Sequence, residues 1–324
     1  MIAREILQRV REIQVRTGRQ VADVLAGEYV SVFKGRGMEF DEVRPYIPGD
    51  DVRSIDWNVT ARTGEPYVKR YVEERQLTLM LVADVSASQD FGSGQRSKRE
   101  ATAELCALLA FSAIRNDDVV GLLLFHSDIE QYIPPRKGQK HALRVVREVL
   151  AHGDDEPSEF AGRHEVGAWR AFRARLAGGL RGLRSPREGT DVARAMEFLL
   201  GVTHRRSICF VVSDFQDENF EAALAAANRR HDVIAVQVED SCESRLPSLG
   251  LVSLRDAETG QRELVDTSSP AFQKHLEEER AEARRALEHR LRAAGIDYVY
   301  VDASASVVDP LVRFFRMRER RSRR

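Results

Sequence analysis

The distribution of hydrophobic positions along the chain predicts an alternation of buried strands and amphipathic helices. Residues 77–83 and 119–125 are nearly continuous apolar runs, which are typical of strands buried on both faces of a sheet. Between them, residues 98–115 carry apolar side chains at helical spacing. Such an alternation favours a parallel sheet with helices packed on it.

The same pattern continues towards the C-terminus. Further strands are predicted at 129–133, 207–212, 233–238 and 297–301, and further helices at 139–151, 191–202, 218–230, 270–294 and 306–318. The run LVSLRDAETGQRELVD at 251–266 is punctuated by glycine and predicts a hairpin. We therefore predict an α/β fold with a doubly wound, mostly parallel sheet.

The first 76 residues follow another pattern. Four apolar residues at spacings of three and four predict a short helix over 1–16: Ile2, Ile6, Val10 and Ile13. After it, short β-prone pieces at 29–33 and 67–72 are separated by Gly, Pro and Asp, and YIPGDD predicts a turn. The predicted organisation is a helix and irregular β-containing region over 1–76, a main domain over 77–318, and a basic tail over 319–324.

One stretch of the main domain is expected to be an insertion. Residues 153–189 hold seven of the 21 glycines and separate two elements that a compact sheet would join more tightly. Within it, four apolar residues at helical spacing predict one helix that covers core: Val166, Trp169, Phe172 and Leu176.

Composition indicates a globular protein without a global preference for polyanions. Hydrophobic residues make up 43% of the chain and charged residues 31%. The chain contains 50 Lys and Arg and 51 Asp and Glu, which gives a formal net charge of -1. Cys106, Cys209 and Cys242 lie far apart and predict neither a disulfide framework nor a metal site, which fits a reducing compartment. No apolar run approaches the ~18 residues of a membrane span, so we expect a cytoplasmic protein without a membrane span.

The C-terminus is the one strongly charged segment. Residues 313–324 contain one acidic residue, Glu319, and seven arginines, which gives a net charge of +6 within twelve residues: Arg313, Arg316, Arg318, Arg320, Arg321, Arg323 and Arg324. Such a segment can bind nucleic acid or anionic lipid through phosphates. The alternative, which we favour, is a solvated helix end whose cations complement the helix dipole.

Candidate chemistry lies at the ends of the predicted strands. Asp84, Ser86 and Ser88 follow the first core strand, Thr190 precedes a helix, and Asp214 closes the strand CFVVSD. Each alone is typical of a turn or a helix cap. However, strand ends converge in a doubly wound sheet, and ligands bind there. Five oxygen donors without sulfur or imidazole suit Mg²⁺, or Mn²⁺, and leave it able to accept one more oxygen from outside.

The motifs DVSAS, GTD and VVSD, in this order, resemble the metal-ion-dependent adhesion site of von Willebrand factor A domains. In that family the two serines and the threonine contact the ion directly, and the aspartates act directly or through water. The resemblance implies the metal ligands Ser86, Ser88, Thr190, Asp84 and Asp214 in a Rossmann-like domain. It also implies that an acidic residue of a partner fills the open metal position.

A second resemblance covers about the whole chain. The stretch from GRGMEFDEVRPYIPGDDVRSIDW to YVEER, the DVSAS loop, FSAIRNDDVVGLLLF and GIDYVYVDASASVVDPLVRFFR look like the bacterial domain-of-unknown-function fifty-eight family. Members are commonly encoded beside MoxR-type AAA+ ATPases and are thought to act with them as accessory or chaperone-like proteins. The resemblance implies a Mg²⁺-dependent protein-binding module, not an enzyme, that contacts such an ATPase or its client.

The signature segment before the first core strand allows two interpretations. Five charged residues are expected to form an ion-pair network that fixes it against the sheet: Asp50, Asp51, Arg53, Asp56 and Arg62. Trp57, beside Ile55, is expected to be a buried anchor. The alternative is an interaction surface.

Enzyme chemistry finds less support. A phosphatase with an aspartyl nucleophile also begins with an Asp after the first strand, but it needs a second Asp two residues on, where this chain has Ser86. The run GSGQRSK is similar to a phosphate-binding loop, yet Ser97 stands in place of the last Gly and Arg99 in place of the Ser or Thr. A metal-dependent phosphoryl hydrolase and a polyanion-binding protein therefore remain the alternatives.

Overall fold

The fold is described by a computed structural model that covers residues 12–13, 38–73, 76–94, 96–151, 189–255 and 262–322. The two residues at 12–13 are helical, whereas the rest of the helix predicted over 1–16 lies outside the described residues. The same is true of the predicted segment 29–33 and of the insertion with its helix, apart from Gly189.

The N-terminal part contains a hairpin and two short helical turns. Strands β1 (Met38–Pro45) and β2 (Tyr67–Glu73) pair antiparallel, and the predicted YIPGDD turn lies between them. A 3-10 turn (Val52–Ser54) and helix α1 (Trp57–Thr63) follow that turn. Strand β1 was not predicted, because two consecutive acidic residues in MEFDEVRP interrupt the alternation of apolar and polar residues, at the position where the pairing with β2 shifts register.

Eight further strands follow within the described ranges: β3 (Thr78–Asp84), β4 (Val119–Phe125), β5 (Ile129–Arg136), β6 (Ile208–Ser213), β7 (Asp232–Glu239), β8 (Leu251–Arg255), β9 (Arg262–Asp266) and β10 (Asp297–Asp302). Strands β8 and β9 form the predicted hairpin. The other six form one sheet in the order β10-β7-β6-β3-β4-β5, in which only the edge strand β5 is antiparallel to its neighbour. This order confirms the predicted doubly wound α/β sheet, and its topological switch point lies between β3 and β6.

Helices cover both faces of this sheet: α2 (Lys98–Arg115), α3 (Gln139–Ala151), α4 (Val192–Val202), α5 (Glu221–Arg230), the short α6 (Ser241–Ser244), α7 (Pro270–Ala293) and α8 (Val308–Ser322). Leu81 of β3 packs in a cluster with α2, α3 and α8, whereas Met80 packs in the opposite cluster with α4, α5 and α7. Strand β3 is therefore buried on both faces, as its apolar run predicts.

The signature segment departs from the prediction of a buried anchor. Trp57 is 69% exposed, and Ile47 and Val52 are also largely exposed, at 58% and 64%. Trp57 is the first residue of a seven-residue helix, on a segment too short to enclose a core of its own. Burial of Trp57 was inferred from its apolar character and from the alternating Ile55, and the prediction was wrong.

The acidic residues of this segment have other partners than those predicted. Asp50 pairs with Arg44 at 2.7 Å, and Asp56 pairs with Lys69 at 3.6 Å. Asp51 and Asp56 also accept backbone hydrogen bonds as N-caps of the 3-10 turn and of α1. The predicted network among five charged residues is therefore wrong, because the acids are bound by β-strand cations and by backbone N–H groups.

The basic C-terminus is partly internal. The Arg318 side chain donates to Asp297 at 2.6 Å and to both oxygens of Asp232, and only 8% of the residue is exposed. Arg321 also binds Asp297. The expected solvated helix end is thus wrong for Arg318, which joins the last helix to β7 and β10. Within the described ranges, every helix is too short or too polar to cross a bilayer.

Candidate metal centre

The five predicted ligands come together at the carboxyl edge of the sheet, beside the switch point. Asp84 ends β3, and Ser86 and Ser88 lie in the loop after it. Asp214 follows the neighbouring strand β6, and Thr190 precedes α4. These positions follow from the topology, because adjacent parallel strands present their carboxyl ends at one edge.

Hydrogen bonds link the five residues, in part through the Ser86 backbone N–H. The Ser86 and Ser88 hydroxyl oxygens are 3.0 Å apart, and the Ser88 hydroxyl donates to Asp214 Oδ2 at 2.8 Å. Thr190 Oγ1 lies 3.4 Å from Asp84 Oδ2, towards which it donates. The Ser86 backbone N–H donates to Asp84 Oδ1 at 2.8 Å. The predicted convergence is therefore present in the fold.

The arrangement of oxygens fits a small hard cation. Adjacent ligands of an octahedral Mg²⁺ with bonds of ~2.1 Å are about 3 Å apart, and the oxygen pairs measured above lie at 2.8 to 3.4 Å. Ser88 and Thr190 direct their protons at carboxylates, so their lone pairs remain for an ion. Within the described part of the chain, no group of three or more His, Cys, Asp or Glu side chains is placed to hold a metal ion.

Asp84 has an unusual protonation equilibrium. Burial, and then the nearby charge of Asp214, raise the pKa of Asp84 to about 7. The hydroxyl of Ser213, which donates to Asp84 Oδ2 at 2.6 Å, opposes that rise but does not cancel it. Ionising Asp84 beside Asp214 is therefore unfavourable in the absence of a further cation, and a cation bound here would lower that cost.

Lys98 belongs to the site and was not predicted. Its side chain is fully buried, and Nζ lies 3.0 Å from Asp214 Oδ2 and 2.7 Å from Glu243 Oε1. Burial opposes the ammonium charge, yet Asp214 and Glu243 together raise the pKa of Lys98 above its usual value. One sequence signal pointed to it: a lysine directly after the N-cap Ser97 faces the positive end of the helix dipole and needs an acidic partner.

The backbone around Asp214 is held in a strained conformation. Phe215 has a left-handed φ of 54°, which is unfavourable for a bulky residue. Its N–H donates to Ser213 Oγ at 3.1 Å, and its ring packs 5.4 Å from that of Phe220. The packing and the hydrogen bond stabilise a turn that directs Asp214 towards Ser88.

Gln89 adds an unsatisfied polar group next to Ser88. The residue is 1% exposed, and neither end of its amide has a hydrogen-bond partner among the described residues. A buried amide of this kind generally binds a water molecule or a ligand. Sequence patterns could not identify it, since glutamine after a strand is usually a surface residue.

Structural comparison finds proteins with similar folds at low scores. BatB from Bacteroides thetaiotaomicron is 17% identical, with a TM-score of 0.42 over 75% of this chain and 99% of that one. The SpRpn10 VWA domain is 12% identical, with a TM-score of 0.38 over 73% and 94%. The fold class itself follows from the strand order and directions given above.

Sequence comparison gives closer relatives. The uncharacterized protein Rv1480 of Mycobacterium tuberculosis is 29% identical over 313 residues, which are 96% of this chain and 89% of that protein. The family described as protein of unknown function DUF58 matches residues 42–286, from β1 to α7. The predicted resemblance is thereby confirmed: this chain belongs to the DUF58 family.

Proposed function

We propose that the protein is a Mg²⁺-dependent protein-binding module that recognises an acidic residue of its partner. The observation that carries the proposal is the convergence of two carboxylates and three hydroxyls at the carboxyl edge of β3 and β6. Hydroxyl ligands leave a dication with residual positive charge, which favours an incoming carboxylate.

Each side chain has a distinct task in this proposal. Ser86, Ser88 and Thr190 offer neutral oxygens, and Asp84 and Asp214 supply charge and orient the hydroxyls. A bound Mg²⁺ or Mn²⁺ would offer an electrophilic position to an oxygen from outside. Thr190 is partly exposed, whereas the other four residues are buried. The partner therefore approaches from the side of Thr190.

The proposed partner is a MoxR-type AAA+ ATPase or its client, in the cytoplasm. Membership of the DUF58 family supports the partner class through the genomic association described above. A second contact is available on the signature segment, where Ile47, Val52 and Trp57 are exposed. Tryptophan is enriched at the energetic centres of protein interfaces, and contiguous exposed apolar side chains mark interaction sites.

The hydrogen bonds at Asp84 favour this proposal over a hydrolase with an aspartyl nucleophile. Oδ1 accepts from the Ser86 N–H, and Oδ2 accepts from Ser213 and lies within reach of Thr190. A nucleophile needs an oxygen directed at its substrate, whereas an orienting carboxylate uses both oxygens as these do. The internal binding of Arg318 likewise removes one cation from any phosphate-binding surface.

Surface plasmon resonance with the purified ATPase tests the proposal. Wild type is expected to bind in Mg²⁺ and to lose binding in EDTA, and Asp84→Asn is expected to bind weakly in both. Asp309→Asn, a matched change of an exposed carboxylate on α8, should behave as wild type. Equal binding in Mg²⁺ and EDTA would refute the metal bridge, and no binding in any nucleotide state would refute the partner.

A further inference from the structure

A buried ammonium group competes for the same carboxylate that the proposed metal ion needs. Lys98 Nζ lies 3.0 Å from Asp214 Oδ2, and the Ser88 hydroxyl donates to that same oxygen at 2.8 Å. Oδ2 thus accepts from two donors already. An ion that takes up this oxygen must either displace the ammonium group or share the carboxylate with it.

The same lysine connects the site to a second loop. Glu243 accepts from Lys98 through Oε1 and from the Asp240 backbone N–H through Oε2, at 2.7 and 3.1 Å. Asp240 in turn binds the backbone N–H of Ser93, in the loop between β3 and α2, at 3.0 Å. Lys98 therefore holds together segments that follow β3, β6 and β7.

Lys98 is the buried cation that several carboxylates of this region share. Its ammonium group binds Asp214 and Glu243 directly, and its charge also acts on Glu239 and Asp240. Without Lys98, Asp214 and Glu243 would lose the cation that lies between them. Removing one partner of a buried pair is strongly destabilising for this reason.

We propose, as an extension of the proposed function, that Lys98 is the internal counter-ion of the site. Its ammonium group keeps Asp214, Ser88 and Glu243 assembled when no divalent ion is bound, and it opposes the binding of that ion. An ion within ~2.1 Å of Asp214 Oδ2 would lie no more than about 5 Å from Nζ, where repulsion between the two charges is substantial. The lysine thus lowers the affinity of the site for the metal ion, and it holds the ligands in place before the ion binds.

Two variants test this role, and we expect them to change the affinity for Mn²⁺ in opposite directions. Lys98→Met keeps most of the length of the side chain and removes the charge, so it should tighten Mn²⁺ binding at least tenfold while lowering the melting temperature in EDTA. Glu243→Gln keeps an acceptor for the Asp240 N–H but leaves the ammonium group to Asp214 alone, so it should weaken Mn²⁺ binding severalfold. Isothermal titration with Mn²⁺ and thermal unfolding in EDTA measure both effects.

The possible results separate this inference from the proposed function. Mn²⁺ binding by wild type without tightening in Lys98→Met would overturn the counter-ion role and leave the metal site intact. If Lys98→Met does not fold, unchanged or tighter binding by Glu243→Gln would overturn it equally. Failure of all three proteins to bind Mn²⁺ would refute the metal site itself, and the counter-ion role with it.

Discussion

Replacing Asp84 by Asn should stabilise the protein when divalent ions are removed. The folded-state pKa of Asp84 is about 7, against an ordinary value of ~3.9 for an exposed aspartate. Between these pH values the folded state keeps a proton that the unfolded chain releases, so stability falls as the pH rises. At ~1.4 kcal/mol for each tenfold change, the cost above pH 7 has a ceiling of about 4 kcal/mol.

Asparagine is well suited to reveal this cost. It cannot ionise, it keeps an oxygen for the Ser86 N–H, and its amide group can donate to Ser213 Oγ. Urea unfolding in EDTA should therefore show Asp84→Asn to be more stable than wild type by ~2–4 kcal/mol near pH 8, with the difference reduced to about a third near pH 5 and gone only below about pH 4.

Mg²⁺ should make wild type more stable than Asp84→Asn, because the ion stabilises only the protein that binds it. Asp309→Asn serves as the control for loss of an exposed carboxylate and should follow wild type throughout. Lower stability of Asp84→Asn in EDTA at pH 8, or a difference independent of pH, would show that Asp84 is a structural residue and refute the reasoning.

Three other predictions concern the rest of the fold. Trp57→Ala should change the melting temperature by less than a few degrees, because the side chain is 69% exposed, yet it should weaken binding to the ATPase at least tenfold. The control Val202→Ala, which changes another exposed apolar residue on α4, should leave binding to the ATPase unchanged. Arg318→Met should lower the unfolding free energy by ~3–5 kcal/mol in urea titrations, since it removes the buried cation from Asp232 and leaves Asp297 with only the exposed Arg321, and a neutral result would contradict this ion-pair role. Burial lowers the pKa of His231, so protonation of the unfolded chain should reduce stability as the pH falls below about 6.5; His231→Leu should lessen that loss in thermal scans, and an unchanged pH profile would exclude His231 as its source.

The central sheet was predictable because its strands are buried on both faces. Such strands consist of continuous apolar runs, as in Val119–Phe125, where the predicted and observed bounds agree. The carboxyl-edge site was predictable for a related reason: each ligand stands directly after a strand or before a helix, so the topology alone brings Asp84 and Asp214 together.

Features that depend on contacts between distant residues were not predictable in this way. Lys98 lies 116 residues before Asp214 and 145 residues before Glu243, and a charged residue in a helix normally predicts an exposed position. Trp57 shows the opposite error, because apolar character indicates burial only where enough surrounding chain exists to enclose the side chain. The β1 strand was overlooked because its pairing with β2, rather than its own composition, stabilises it.

The central claim is that Ser86, Ser88 and Thr190 bind a divalent ion directly. A crystal structure of the protein soaked in Mn²⁺, with data collected for anomalous scattering, tests it most directly. The account predicts one strong anomalous peak within ~2.2 Å of these three oxygens and close to Asp84 and Asp214. A well-ordered site with all five side chains in place and no anomalous peak among them would contradict it.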